Sequence, residues 1–251
     1  MLAKIIKNKK AEVKSRKKLH PLRTFRKYLK FSNRDFKKAI SKRGFNIIGE
    51  IKKVSPSEGL LRKDFDFVQI TRDYERSKVA ALSVVTDEVF FAGNVALLSK
   101  IRKNTRKPML RKDFIIDAYQ IYESRYYGAD AVLLIAALLD VKEINEFLTI
   151  AKKYHMDCIV EAHDEKELKK VLATNADIIG INNRNLKTMK IDMETTLRLV
   201  KKIRKKVVIV AESGYDSKEQ IQKIKGKVNA VLVGTSLIKS DNIRQKVEEL
   251  L

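Results

Sequence analysis

One cysteine and three prolines stand among 251 residues, and both shortages narrow the possibilities. A lone Cys158 cannot close an internal disulfide. It sits in the apolar run DCIVEA with no histidine at catalytic spacing, so it reads as a small core hydrophobe rather than a nucleophile. With so little proline and no low-complexity linker, one structural domain is the economical reading. No apolar run approaches the ~18 residues of a membrane span. The opening MLAKIIKNKKAEV has neither the apolar stretch nor the small-residue cleavage site of a secretory signal. A soluble cytoplasmic chain without membrane contact is therefore expected.

Acidic residues are also scarce: 31 against 54 lysines and arginines leave a net charge of +23. The excess is uneven, because residues 1–43 hold 17 of the basic residues against only Glu12 and Asp35. In this segment Leu2, Ile5, Ile6 and Val13 recur at roughly helical spacing, which makes the lysines the wet face of an amphipathic helix. Neither an aromatic platform for stacking bases nor a zinc-finger or RNA-recognition signature accompanies them. No nucleic-acid partner is expected. A basic field serves equally to steer a small anion.

What is present is a rhythm. Residues 1–44 read as two or three short helices, broken at His20-Pro21 and again near Phe31. Ser32 or Asn33 is the expected cap of a helix RDFKKAISKR that ends at Gly44. After this extension, residues 45–251 carry eight short apolar runs: FNIIGEIK, VAALSVVTD, KPMLRKD, ADAVLLIAA, DCIVEAHD, ADIIGINNR, VVIVAESG and VNAVLVGTS. Between them lie stretches such as VKEINEFLTIAKKY with apolar residues three or four apart. Strand and helix alternating without hairpin signals demand parallel pairing under helical cover. Eight such units fit a single closed (β/α)₈ TIM barrel of the α/β class. An open doubly wound sheet would more naturally carry a G-x-G-x-x-G turn after its first strand, where this chain has the charged EIKK.

In such a barrel the chemistry gathers at the C-terminal strand ends. Period-two alternation puts Ile48, Glu50 and Lys52 on one face of the first strand. A solvated edge strand would carry such charges too, but a closed barrel leaves no edge to protect. The third strand offers Lys112 in phase with Leu110, the fifth Glu161, the sixth Asn182 and Arg184, and the seventh Glu212 followed by Ser213-Gly214. The eighth ends in Gly234-Thr235-Ser236. The small residues after strands seven and eight suit a phosphate dianion. Two lysines among three carboxylates are acid–base equipment, since burial and neighbouring charge move both groups' pKa values. Metal ligation is not expected, because only His163 lies near this rim.

The stretches EIKKVSPSEG, MLRKDFIID, GADAVLLIAALL, IVEAHDEKEL, IGINNRNLKT, VAESG and VLVGTSL follow one another as in indole-3-glycerol phosphate synthases. The N-terminal IIKNKKAEV, HPL and RDFKKAI resemble that family's helical extension, so the similarity spans the chain. The resemblance implies a carboxy-lyase of tryptophan biosynthesis, cofactor-free and monomeric. It would close the ring of 1-(2-carboxyphenylamino)-1-deoxyribulose 5-phosphate with loss of carbon dioxide and water. On this resemblance Lys112 is the general acid of ring closure and Glu161 the base of dehydration. Lys52 anchors an anionic group of the substrate and serves in dehydration, while Glu50, Asn182 and Glu212 orient lysines and hydroxyls. Arg184 meets the aromatic carboxylate. Ser55, Ser213, Gly214, Gly234 and Thr235 take the phosphate, and Phe91, Leu110 and Leu133 wall the aromatic ring. Two departures stand out: Gly49 replaces the usual alanine, and Glu58 stands where a lysine is common.

Three other readings remain open on the residues alone. A phosphoribosylanthranilate isomerase would need a cysteine/aspartate or paired-aspartate arrangement at these strand ends. A Schiff-base aldolase would form a borohydride-trappable adduct at Lys112 or Lys52. A nucleic-acid-binding protein would lose affinity steeply with salt.

Overall fold

The structure is a computed structural model that describes residues 2–186 and 188–251. Met1, the first residue of the expected extension, lies outside them. The eight barrel strands are β1 (Asn46–Ile51), β2 (Ala81–Val85), β3 (Met109–Lys112), β4 (Ala131–Ile135), β5 (Asp157–Ala162), β6 (Ile178–Asn182), β7 (Val208–Glu212) and β8 (Ala230–Val233). Each pairs in parallel with the next, and β1 closes on β8 with Asn46 opposite Ala230. The chain is thus a single (β/α)₈ barrel with an N-terminal helix outside it. A two-residue hairpin, Val54–Ser55 against Gly59–Leu60, shapes the loop after β1.

Alternation along each strand divides the apolar residues into two layers. Ile48, Leu110, Leu133, Ile159, Val210 and Leu232 fill the lumen. Ile47, Ile51, Leu82 and Val84 face outward and join the helices in a second, larger core. Five of the helices around the barrel begin where a side chain satisfies their free N–H groups, with Asp66, Asp117, Asp140, Asp164 and Ser217 as N-caps.

The extension clamps the barrel at both ends. Helix α1 (Leu2–Leu19) crosses the C-terminal rim, then α2 (Leu22–Phe25) and a 3₁₀ turn (Arg26–Tyr28) run down the side. Helix α3 (Phe36–Ile40) seals the opposite end, with Phe36 and Ile40 wholly buried against the lumen residues. Two expectations change here. The cap of α3 is Asp35, whose side chain accepts from the Lys38 N–H, rather than Ser32 or Asn33. Ser32 is occupied elsewhere, donating to Asp130 at the start of β4 at 2.7 Å. The helix also stops at Ile40 instead of continuing to Gly44.

The second change concerns α1. Its buried residues are Ile5, Lys9 and Val13, one helical face at a spacing of four, so Lys9 does not belong to the wet face. Its ammonium lies 3.0 Å from Asp87, 2.8 Å from Asp113 and 2.9 Å from Glu12. Asp87 and Asp113 follow β2 and β3, so this buried ion cluster ties α1 to the rim, alongside the pairing of Arg16 with Glu88 and Glu123.

Candidate active site

A cavity of about 410 Å³ opens at the C-terminal ends of the strands. Fourteen of the fifteen residues singled out in the sequence line it: Glu50, Lys52, Ser55, Phe91, Lys112, Leu133, Glu161, Asn182, Arg184, Glu212, Ser213, Gly214, Gly234 and Thr235. Leu110 does not. It points inward as its phase requires, but one layer deeper, in the lumen packing beneath the cavity.

At the end of β1, Lys52 Nζ lies 2.8 Å from Glu50 Oε1. Burial favours protonation of Glu50, but Lys52 and then Lys112 outweigh it and hold the carboxyl below its usual range. Two glycines make this corner possible. A Cβ on Gly234 would come within 2.6 Å of Glu50 Oε1, and one on Gly49 would press on the Tyr74 ring at 3.0 Å. The Tyr74 hydroxyl donates to the Glu50 carbonyl at 3.0 Å. The unusual Gly49 thus goes with a buried tyrosine behind it.

Lys112 reaches the centre from β3, its Nζ 3.2 Å from Glu212 Oε2 and 3.6 Å from Glu161 Oε2. Burial disfavours its charge, but Glu212, Glu161 and Glu50 together hold the ammonium well above the usual lysine range. The neighbouring Arg111 points outward and is wholly buried, donating to Asp113 at 3.0 Å and to Glu123 at 2.9 Å. Asp113 also takes the Thr86 hydroxyl at 2.6 Å, besides Lys9. The two residues flanking Lys112, Arg111 and Asp113, are therefore locked from behind.

The two carboxylates around Lys112 differ in surroundings. Glu161 Oε2 accepts from Asn182 Nδ2 at 3.1 Å, and its Oε1 lies 3.0 Å from His163 Nε2. Burial favours its neutral form, yet Lys112 and His163 drive it well below the ordinary range. Glu212 accepts no well-aligned hydrogen bond from a described residue. Burial raises it, Lys112 offsets only part of this, and the negative charge of Glu161 adds to the rise, so it sits well above the ordinary range. Two neighbouring buried carboxylates with opposite shifts titrate as a pair, in which Glu212 is the member that takes up a proton more readily.

Loops bind the rim together. Arg184 Nη1 donates to Ser57 Oγ and to the Met189 carbonyl, both at 3.2 Å, tying the β6 loop to the β1 loop. Glu58, the departure in that loop, pairs with Lys239 at 2.6 Å across the mouth. Ser213 and Gly214 both adopt left-handed backbone, φ 67° and 88°. This is uncommon for a serine and typical of a turn built for a purpose. The helix Thr235–Lys239 starts directly after Gly234, and its first N–H groups have no acceptor within the helix. Among the described residues no three His, Cys, Asp or Glu side chains group to hold a metal ion, and no helix is long and apolar enough to cross a membrane.

A sequence model of indole-3-glycerol phosphate synthase matches residues 2–250. The chain belongs to the indole-3-glycerol phosphate synthase family. A relative of that name from Caldanaerobacter subterraneus subsp. tengcongensis is 46% identical over 98% of this chain and 96% of its own. The corresponding protein of Endomicrobium trichonymphae is 48% identical over 86% and 84%. That of Legionella pneumophila is 41% identical over 100% and 98%. A solved structure of thiamine phosphate pyrophosphorylase from Pyrococcus furiosus superposes with a TM-score of 0.60, covering 84% of this chain and 95% of its own. At 14% identity that likeness concerns the barrel alone. Membership of the synthase family makes the chain a carboxy-lyase of tryptophan biosynthesis.

Sequence reasoning passed over three groups that the fold brings to this site. Lys9 and Asp113 were hidden by their places in a lysine-rich helix and beside a more conspicuous lysine. The spacing Ile5, Lys9, Val13 was the available signal. His163 was considered only as a metal ligand, although it stands two residues after Glu161, just beyond the end of β5.

Proposed function

We propose that this cavity turns over 1-(2-carboxyphenylamino)-1-deoxyribulose 5-phosphate to indole-3-glycerol phosphate, carbon dioxide and water. The observation that carries the reading is Lys112 standing between Glu161 and Glu212 with the Lys52–Glu50 pair beside it. Such a substrate is anionic at both ends, which suits a cavity with lysine and arginine on its walls. Its phosphate lies against Ser55, Ser213-Gly214 and Gly234-Thr235, where hydroxyls and backbone N–H groups are within reach. Arg184 meets the aromatic carboxylate, and Phe91 and Leu133 flank the ring.

Ring closure needs the carbon bearing the carboxylate to attack the ketone carbon. The C=O electron pair moves to oxygen, which Lys112 stabilises as an ammonium and then protonates. Held charged by its carboxylate neighbours, this acid is fully loaded at neutral pH. Breaking the bond to the carboxylate releases carbon dioxide and restores aromaticity. In the dehydration the hydroxyl leaves as water with a proton from Lys52, while Glu161 removes a proton from the adjacent ring CH₂. Two protons enter and one leaves, so each turnover takes up one proton. Glu50 holds Lys52, Asn182 holds Glu161, and Glu212 receives a substrate hydroxyl.

We place the enzyme in the cytoplasm as a monomer, with this phosphorylated anion as its partner and neither nucleic acid nor cofactor required. The test is the fluorescence of indole-3-glycerol phosphate formed from the synthetic substrate. Turnover by the wild type, lost in Glu161→Gln, is expected. A borohydride-trapped adduct at Lys112 or Lys52, without indole formation, would replace this reading with aldolase chemistry.

A further inference from the structure

Beyond these groups, we propose that His163, itself held by Glu167, is a positioning residue that clamps one oxygen of Glu161 and leaves the other to the chemistry. This rests on the reading of Glu161 as the base. His163 Nε2 lies 3.0 Å from Glu161 Oε1, and His163 Nδ1 lies 2.8 Å from Glu167 Oε2. The same Glu167 oxygen accepts the His163 backbone N–H at 2.9 Å. Glu167 sits in the first turn of the helix Glu165–Leu172, capped by Asp164, so the clamp is anchored in a regular element.

The arrangement calls for a cation. Glu167 Oε2 is hydrogen-bonded to Nδ1 and Glu161 Oε1 stands at ion-pair distance from Nε2 without hydrogen-bond alignment, so a neutral imidazole would leave a lone pair beside one carboxylate, whereas an imidazolium is attracted to both. Burial opposes that charge, but Glu161 and then Glu167 outweigh it and raise the group to about 10. Around Glu161 stand Lys112 from β3, Glu212 from β7 and Glu50 from β1, besides His163 just after its own strand. Lys112 touches both central carboxylates, while His163 touches only Glu161. Asn182 also donates to Glu161 alone, but it carries no charge, so His163 is the charged group that breaks the symmetry of the pair and favours the ionised form of Glu161.

Two measurements test this. In wild-type protein without substrate, ¹⁵N NMR of the imidazole assigned by His163→Ala should show both nitrogens protonated through pH ~8, well past the ordinary histidine midpoint near ~6.5. A ring that titrates at the ordinary midpoint would overturn the clamp. In turnover, His163→Ala should lose at least about tenfold in kcat with KM little changed, and the acidic limb of its kcat profile should move to higher pH. His163→Gln restores a donor without charge, so it should recover part of kcat but not the position of the limb. A wild-type limb and kcat in His163→Ala would also overturn the proposal. If the wild type forms no indole product, the functional reading fails, and the imidazole spectrum still decides the clamp.

Discussion

The Lys9 ammonium stands 2.8 Å from Asp113 Oδ1, and neither side chain meets solvent. An N-terminal helix is thereby pinned to the residue next to Lys112. Lys9→Met would leave Asp87 and Asp113 short of a buried partner, which typically costs about 3 kcal/mol or more. Urea unfolding at neutral pH should show that loss. Burial favours the neutral acid, but Arg111 and Lys9 hold Asp113 well below the usual aspartate range. Its stabilisation is therefore present above the unfolded pKa near ~4 and fades as pH falls below it. The gap between wild type and variant should narrow there. An unchanged neutral-pH midpoint would mean that the cluster contributes nothing.

Glu161 and Glu212 invite a paired comparison. An amide resembles a protonated carboxyl, so Glu212→Gln preserves the state in which Glu212 rests, whereas Glu161→Gln removes an ionised base. Glu161→Gln should cost ~10²–10⁴ in kcat, and Glu212→Gln at least about tenfold less than that. Equal losses in steady-state assays, or the reverse order, would rule out this distribution of the proton.

Gly180 carries a steric prediction. A Cβ there would lie 2.5 Å from Glu212 Oε1 and 2.8 Å from Ile159 Cγ2. Glu212 lines the cavity and Ile159 lies in the core beneath it, so Gly180→Ala should displace Glu212 and cost about 1–3 kcal/mol by overpacking. Calorimetry would measure the stability term. The same variant should turn over more slowly than Ile159→Val, which leaves Glu212 in place.

How much of this was written in the sequence depends on the range of the interaction. The alternation that sends Glu50, Lys112, Glu161 and Glu212 to one side of their strands is local, and it carried those residues to the cavity before any coordinates. Leu110 shows the limit of that argument: phase says inward but not how deep, and depth follows from the stagger of eight strands. Lys9 was misplaced because a lysine-rich helix reads as solvated until its partners, 78 and more residues away in Asp87 and Asp113, are known. The cap of α3 failed for a related reason. Ser32 is a good cap by type, but Asp130, distant in sequence, claims its hydroxyl.

The most direct test of the account is Lys112→Met, assayed for indole-3-glycerol phosphate fluorescence and, separately, for substrate binding at equilibrium. If Lys112 supplies the proton of ring closure, kcat falls by ~10²–10⁴ while the substrate still binds. A variant that binds and turns over within about threefold of wild type would contradict the assignment.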